Sequence, residues 1–332
     1  MPHSVVIAPD SFKGSISARD AAAALAEGWR SLRPRDIITT LPQADGGEGT
    51  LDAVEAAVPG AERRIVRGVT GPDGRPVDAD WLLLPDGTAV VELAQSSGLP
   101  LMGTLDPLGA TTRGLGEVVA AALAARPQRL LVGLGGSAST DGGAGVLEVV
   151  RTLGIEVVLL TDVTAPLLGP SGAAAVFAPQ KGASPDQVAQ LEARLTGFAR
   201  RLGGNPLAPG SGAAGGTAYG LATAWGASIQ SGSDYLAALT GLDAAIAGAT
   251  IVLTGEGRFD SQSLTGKVVG RVLERAAEHS LPTGVIAGLL EIEPAGWSVS
   301  LTALAGSGAE SLADPARWLR AAGAAAAHAL AD

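Results

Sequence analysis

Short apolar runs followed by polar, glycine-bearing stretches and then by helix-period segments open this chain, an order that predicts βα units. Residues 4–8 form a β-rich run, 9–15 are polar with a glycine, and 16–32 have helical character with Ser17 placed as a cap. The order repeats as a strand at 36–41, a polar loop at 43–49 and a helix at 50–58. From Thr250 it returns, with strands predicted at 251–253, 283–287 and 299–305 and helices at 267–279 and 314–330. The middle of the chain has another character. Runs at 63–70, 77–84 and 88–93 are separated by Gly-Pro-Asp-Gly and Pro-Asp-Gly turns and predict an antiparallel meander. A helix at 114–125, a strand at 129–134, a glycine-rich loop at 135–145, a strand at 157–160 and an amphipathic helix at 185–202 follow, with 205–220 read as linker or loop.

The expected fold is α/β in two domains. A Rossmann- or flavodoxin-like parallel-sheet domain is built from both chain ends, 1–63 plus 240–332, and a mixed α/β domain, 64–239, is inserted into it. Parallel α/β folds bind ligands at the carboxyl ends of their strands, so the polar loops after the first two strands are expected on one rim.

Composition narrows the partners. A chain of 332 residues with 46% hydrophobic and 17% charged residues has enough apolar material for its cores without metal or disulfide help. A formal net charge of -10 argues against nucleic acid and against an anionic membrane surface, so a phosphate-bearing partner must be met by local donors or a cation. The absence of cysteine excludes disulfides, zinc-thiolate sites and thiol nucleophiles, and fits a reducing compartment. The alanine-rich stretches 21–26 and 321–329 fall short of the roughly 20 apolar residues of a spanning helix, and the N-terminus enters Val5-Val6-Ile7 without a basic leader. The expectation is a soluble cytoplasmic protein, monomer or homodimer, acting on small molecules.

Three lysines stand against twenty arginines, and each adjoins a glycine: Lys13-Gly14, Lys181-Gly182 and Gly266-Lys267. A compact, rotatable ammonium beside backbone that can approach a ligand closely suits phosphate handling. Lys13 and Lys267 lie in longer polar glycine runs and read as functional, whereas Lys181 alone reads as an exposed turn. Four segments combine glycine, hydroxyl and carboxylate: Asp10-Ser-Phe-Lys-Gly-Ser15, Asp45-Gly-Gly-Glu-Gly-Thr50, 135–145, and 254–267. Backbone N–H groups freed by glycine cradle phosphate oxygens, carboxylates hold Mg2+ or accept a hydroxyl proton, and lysine neutralises charge on a transferred group.

His3, His279 and His328 lie outside every such segment, which argues against a Ser-His-Asp hydrolase. The candidates left for a general base are Asp10, Asp45, Glu48, Asp141, Glu256 and Asp260, any of which also suits a cap or a turn. Asp45 and Glu48 precede a helix as Asp-x-x-Glu, equally a capping box, whereas Asp141 and Asp260 sit deeper in glycine runs and lean toward function. Lys267 follows a glycine, but Ser261 and Val268 occupy the places of the first P-loop glycine and its Ser/Thr, so this is not a Walker A loop. Gly133-Leu-Gly135-Gly-Ser-Ala138 matches G-x-G-x-x-A after a strand, yet a further polar glycine run follows it rather than a helix.

Taken together, Ala-Pro-Asp-Ser-Phe-Lys-Gly-Ser at 8–15, Ala44-Asp-Gly-Gly-Glu-Gly-Thr50, Gly135-Gly-Ser-Ala with Asp141-Gly-Gly-Ala-Gly145, and Leu253-Thr-Gly-Glu-Gly-Arg with Asp260-Ser-Gln-Ser closely resemble the glycerate kinase family. Further blocks at 162–169, 179–183 and 210–216 resemble it in the same order. The resemblance implies ATP- and Mg2+-dependent phosphorylation of D-glycerate, on the 2-hydroxyl rather than the 3-hydroxyl, at a site in the cleft between two α/β domains. Carried onto this chain, Lys13 would contact phosphate or the substrate carboxylate, Asp45 or Asp141 would serve as base or metal ligand, and Lys267 and Asp260 would join the nucleotide or phosphate end. Asp10, Ser11, Ser15, Gly46, Gly47, Glu48, Gly135, Gly136, Ser137, Gly255, Glu256 and Arg258 would line the substrate and phosphate positions.

The chain departs from the family pattern in a shortened segment between Leu153 and Val157, in Ala165, in Ser139-Thr140, and in the block after Ala287. The competing readings are a kinase for a related hydroxy acid, a nicotinamide-dependent dehydrogenase resting on the G-x-G-x-x-A string, and a noncatalytic nucleotide-binding protein.

Overall fold

A computed structural model describes residues 2–12, 14–264 and 267–331. Among them eleven strands form two sheets: β1 (Ser4–Ile7), β2 (Ile37–Thr40), β3 (Glu62–Thr70), β4 (Pro76–Leu83), β5 (Thr88–Glu92), β6 (Arg129–Gly133), β7 (Glu156–Leu160), β8 (Ser228–Gln230), β9 (Ile251–Phe259), β10 (Thr283–Leu290) and β11 (Trp297–Ser300). The chain gathers into two compact units. The first comprises Met1–Ala44, Asp52–Pro59 and Ser233–Asp332, and the second Asp45–Leu51 and Gly60–Gly232.

The first unit carries a parallel sheet in the order β11-β10-β9-β1-β2. Counted along the chain this is the 2-1-3-4-5 order of flavodoxin-like folds, whose ligand crevice lies where the winding reverses, here between β1 and β9. Val5-Val6-Ile7 and Ile251-Val252-Leu253 are apolar at every position because helices cover both faces. On one face the helices Ala18–Leu32 and Pro315–Leu330 pack over Val5, Ile7, Ile251 and Leu253. On the other, the helices Leu242–Ala247 and Val268–Glu278 pack over Val6 and Val252. The first pair of helices meets through glycine: a Cβ on Gly28 would stand 2.0 Å from the Arg320 carbonyl, and one on Gly323 2.2 Å from that of Leu25.

Two predicted elements change here. The glycine-rich stretch after Leu253 is not a loop at its start, because β9 continues to Phe259 and pairs with β10 as far as Leu290. Its glycines serve close backbone approach, a Cβ on Gly255 falling 2.1 Å from the Ile286 carbonyl oxygen. The strand predicted at 299–305 is β11 followed by a helix, Leu301–Ala305, where the Ser300 hydroxyl accepts from the Ala303 N–H at 3.4 Å. An apolar run of that length does not separate strand from helix by periodicity.

The second unit has a mixed sheet, β3-β4-β5-β6-β7-β8, antiparallel from β3 to β5 and parallel from β5 to β8. The meander is as its turns predict. The helix Arg113–Ala124 packs Leu115, Val118 and Val119 over Val91, Leu130 and Val132. The helix Pro185–Leu202 starts at a capping box, Ser184 with Gln187, and packs Leu191 and Leu195 with Leu167 and Tyr219 in a smaller core. The stretch 205–220 is no linker. It forms the turn Ala213–Gly216 and starts the helix Thr217–Trp225, and its glycines press on the 135–145 segment: a Cβ on Gly215 or Gly220 would fall 2.1 Å from the Ser139 or Gly142 carbonyl.

Candidate active site

In the first unit the backbone leaves β1 but keeps to the edge of β9. Ala8 donates to the Leu253 carbonyl and Asp10 to that of Gly255, each at 2.8 Å, while the Thr254 hydroxyl donates to the Ala8 carbonyl at 2.8 Å. The segment from Asp10 and the segment from Gly255 therefore lie side by side at the winding reversal. Asp10 is buried, and its Oδ1 accepts from the Ser11 N–H at 2.6 Å. The Ser11 hydroxyl is buried with no partner among the described residues. Ser15 donates its hydroxyl to the Phe12 carbonyl at 2.8 Å, closing the turn that carries Gly14 at φ +80°. Lys13 lies outside the described residues.

Glu256 is half-buried on β9, and Arg258 is ion-paired with Glu291. Asp260 shapes a turn: its Oδ1 accepts from Gln262 and Ser263 N–H groups at 2.8 and 3.3 Å, and its own N–H donates to the Ser263 hydroxyl at 3.0 Å. Lys267 is exposed, with Nζ 3.5 Å from Gln262 Oε1.

In the second unit the segment from Asp45 and the segment from Gly135 meet backbone to backbone. Gly135 donates to the Gly46 carbonyl at 3.1 Å, and a Cβ on Gly135 would fall 2.4 Å from the Gly47 Cα. Gly46, at φ +86°, has room for no side chain either, since a Cβ there would stand 2.6 Å from the Leu160 carbonyl. Only glycine permits this contact.

The capping reading of Asp45 and Glu48 is not what forms. Asp45 Oδ1 accepts from the Gly47 N–H at 2.8 Å, and Glu48 is exposed without a partner among the described residues. The amides at the start of the helix Thr50–Ala57 are served instead by buried Glu92, which accepts from Gly49 at 3.1 Å and from Leu51 at 3.2 Å. Sequence reasoning passed over Glu92; a carboxylate ending the otherwise apolar run Thr88–Glu92 was its only signal.

Asp141 has the opposite fate. Its Oδ2 accepts from the Thr112 N–H at 2.9 Å, the Thr112 hydroxyl at 2.8 Å and the Gly145 N–H at 3.2 Å, and its Oδ1 from Gly143 at 3.0 Å. Four donors occupy the lone pairs of a carboxylate. Asp141 thus fixes the loop onto the start of the helix Ala144–Val149. Thr140 and Asp141 also line a cavity of about 260 Å³ together with Arg194, Phe198 and Arg201. The helix after the G-x-G-x-x-A string begins only at Ala144, well beyond Ala138, so the string lacks the helix start on which dinucleotide binding depends.

Lys181 is not an exposed turn. It is 3% exposed, and its ammonium donates to the Ser137 hydroxyl at 3.1 Å and to the Ser139 carbonyl at 2.5 Å. Burial holds this ammonium at about 8, below its ordinary 10.5, with the charge of Asp141 partly offsetting the shift. A glycine neighbour does not tell which way a lysine points, and only the fold shows that this side chain turns inward.

Glycine-rich loops at the carboxyl ends of parallel strands, supplied with lysine, hydroxyls and accessible carboxylates, suit transfer of an anionic group. The glycerate kinase family matches this chain over residues 5–158 and 148–331, and the chain belongs to that family. The protein is accordingly a kinase, a phosphotransferase with an alcohol group as acceptor. The chain is 38% identical over 327 residues to the glycerate 2-kinase of Escherichia coli K12, covering 86% of this chain and 85% of that one. It is 38% identical over 324 residues to a glycerate kinase of Bacillus subtilis 168, covering 86% and 84%. A solved structure assigned as glycerate kinase 2 of Salmonella typhimurium LT2 superposes with a TM-score of 0.80 at 33% identity, covering 100% of this chain and 99% of that one. The two family matches overlap at 148–158, where the sequence reads as shortened. No helix among the described residues is long and apolar enough to cross a membrane.

Proposed function

We propose that this protein transfers the terminal phosphoryl group of ATP to D-glycerate, forming 2-phosphoglycerate rather than 3-phosphoglycerate. The observation that carries the reading is the contrast between carboxylates: Glu92 and Asp141 are spent on holding loops, which leaves Asp45 and Glu48 accessible beside the Gly46–Gly135 contact. Asp45 accepts the proton of the substrate hydroxyl as it attacks. Its Oδ1 already receives the Gly47 N–H, which holds the carboxylate in one orientation.

Mg2+ favours one or two carboxylates together with substrate phosphates over an all-protein cage. That preference fits Asp45 and Glu48, of which Asp45 is half-buried and Glu48 exposed. Asp141, its lone pairs filled, does not suit the ion. When bound, Mg2+ neutralises charge on the phosphates. Lys13 and Lys267 are assigned the phosphoryl oxygens, and Asp10, Ser11, Ser15, Gly255 and Glu256 the nucleotide or substrate end.

The reading is tested by ADP release from Mg-ATP with D-glycerate, L-glycerate, glycerol and no acceptor, with the product resolved by phosphorus NMR. Release that needs D-glycerate and metal and gives a carbon-2 ester supports it. Folded protein that releases no ADP with D-glycerate refutes it.

A further inference from the structure

Lys181 is a buried ammonium with no ion pair among the described residues, in a chain that has given up nearly every other lysine. Two of its three protons go to the Ser137 hydroxyl and the Ser139 carbonyl, and the third has no acceptor among the described residues. A buried charge is costly unless it is paired and fully hydrogen-bonded, and a loop that needed only rigidity is held as well by neutral groups. The same loop keeps further capacity unused. The Ser139 and Thr140 hydroxyls are buried without partners, and the Gly136 and Ser137 N–H groups donate to nothing among the described residues. One ammonium proton, two hydroxyls and two amides are thus unused among the described residues, all within five consecutive loop residues and the lysine that grips them.

We propose that Lys181 is a positioning residue that makes the loop at 136–140 a receiver for an oxyanion, a carboxylate or phosphoryl group, by pinning Ser137 and the Ser139 carbonyl and lending the loop its positive charge. The inference rests on reading this loop as part of the ligand site. It adds a residue outside the four glycine-rich segments and names the ligand chemistry of one of them. A lysine bound to the loop at two points sets its shape, and its charge compensates the anion.

The test compares full-length wild type with Lys181→Met and Ser137→Ala. Thermal stability is measured without ligand, with D-glycerate and with tripolyphosphate, together with kcat and KM for both substrates. Lys181→Met, close in length and uncharged, is expected to melt no lower than wild type without ligand. It is expected to lose the shift caused by one of the two oxyanions, and which one identifies the group as carboxylate or phosphoryl. The KM of the matching substrate should rise at least tenfold. A purely structural lysine gives the reverse pattern, a lower melting temperature with both ligand shifts and both KM values unchanged, and that result overturns the inference.

Should Lys181→Met not fold, Ser137→Ala decides, since it leaves the ammonium in place and removes one grip. A tenfold weaker oxyanion response supports the proposal and an unchanged one sinks it. Wild type that responds to oxyanions but releases no ADP would refute the kinase reading alone. Wild type that turns over, with a Lys181→Met variant equal to it, refutes only the role of Lys181.

Discussion

Asp45 and Asp141 are both aspartates followed by glycine in glycine-rich loops, yet their surroundings give them different work. Asp45→Asn is expected to lower kcat by two orders of magnitude or more with little change in melting temperature, because only the Gly47 N–H depends on its carboxylate. Asp141→Asn must disappoint at least one of four donors inside the loop, and should cost about 2 kcal/mol of stability as well as activity. Denaturant melts and initial rates on the same preparations separate the two. Lys181 adds a pH signature. Its folded value near 8 lies below its unfolded 10.5, so the unfolded chain holds more protons between them and stability rises with pH across that window. The full span is worth about 3 kcal/mol at ~1.4 kcal/mol per unit. Wild type should therefore gain on Lys181→Met between pH 8 and 9.5, a difference that parallel melts of the two proteins read directly. That Asp45 and Asp141 stand in glycine-rich segments with hydroxyls was legible in the residues themselves, whereas Lys181 read as an exposed turn. Which carboxylate stays accessible, and which way a lysine turns, depends on Thr112, Glu92 and Ser137, partners distant in sequence.

At the scale of elements, glycine is the residue most easily misread. The helices Ala18–Leu32 and Pro315–Leu330 cross where Gly28 and Gly323 let each backbone approach the other, with 2.0 and 2.2 Å left for a Cβ. Alanine is favoured over glycine inside a helix by about 1 kcal/mol, so Gly323→Ala ought to stabilise an isolated helix, but here it should destabilise the protein by 1–3 kcal/mol through overpacking. Gly135→Ala is expected to behave likewise, its Cβ meeting the Gly47 Cα at 2.4 Å, and to abolish turnover. Gly154→Ala, with nothing within 4 Å, should be neutral or gain about 0.5 kcal/mol. Calorimetry on the three variants tests the series. The same ambiguity explains β9: Gly255 looks like a loop residue in sequence, yet a Cβ there would meet the Ile286 carbonyl oxygen at 2.1 Å. The helix Pro185–Leu202, by contrast, was readable end to end, because its apolar stripe is a local signal.

Each compact unit of the molecule owns its core: Leu93, Leu130 and Val132 lie in one, Val5, Leu25 and Leu253 in the other. Leu130→Ala should therefore lower amide protection in β3 to β7 before it does so in β1, β9 and β10, as hydrogen exchange with mass spectrometry would register; equal loss in both sheets would contradict separate cores. At this scale the chain's own order of residues determined a great deal. The βα rhythm at its two ends, the meander between them and the four glycine-rich segments follow from periodicity and turn chemistry, which act over a few residues and are written wherever those residues stand. The tertiary structure alone decided that Asp10 runs beside Gly255, that Gly135 rests on Gly47, that Glu92 rather than Asp45 or Glu48 serves the amides at the start of the helix Thr50–Ala57, and that Lys181 is driven inside. Those contacts join residues tens to hundreds of positions apart. Their strength comes from excluding water around backbone and charge, a condition that exists only once the sheets and helices have closed over them.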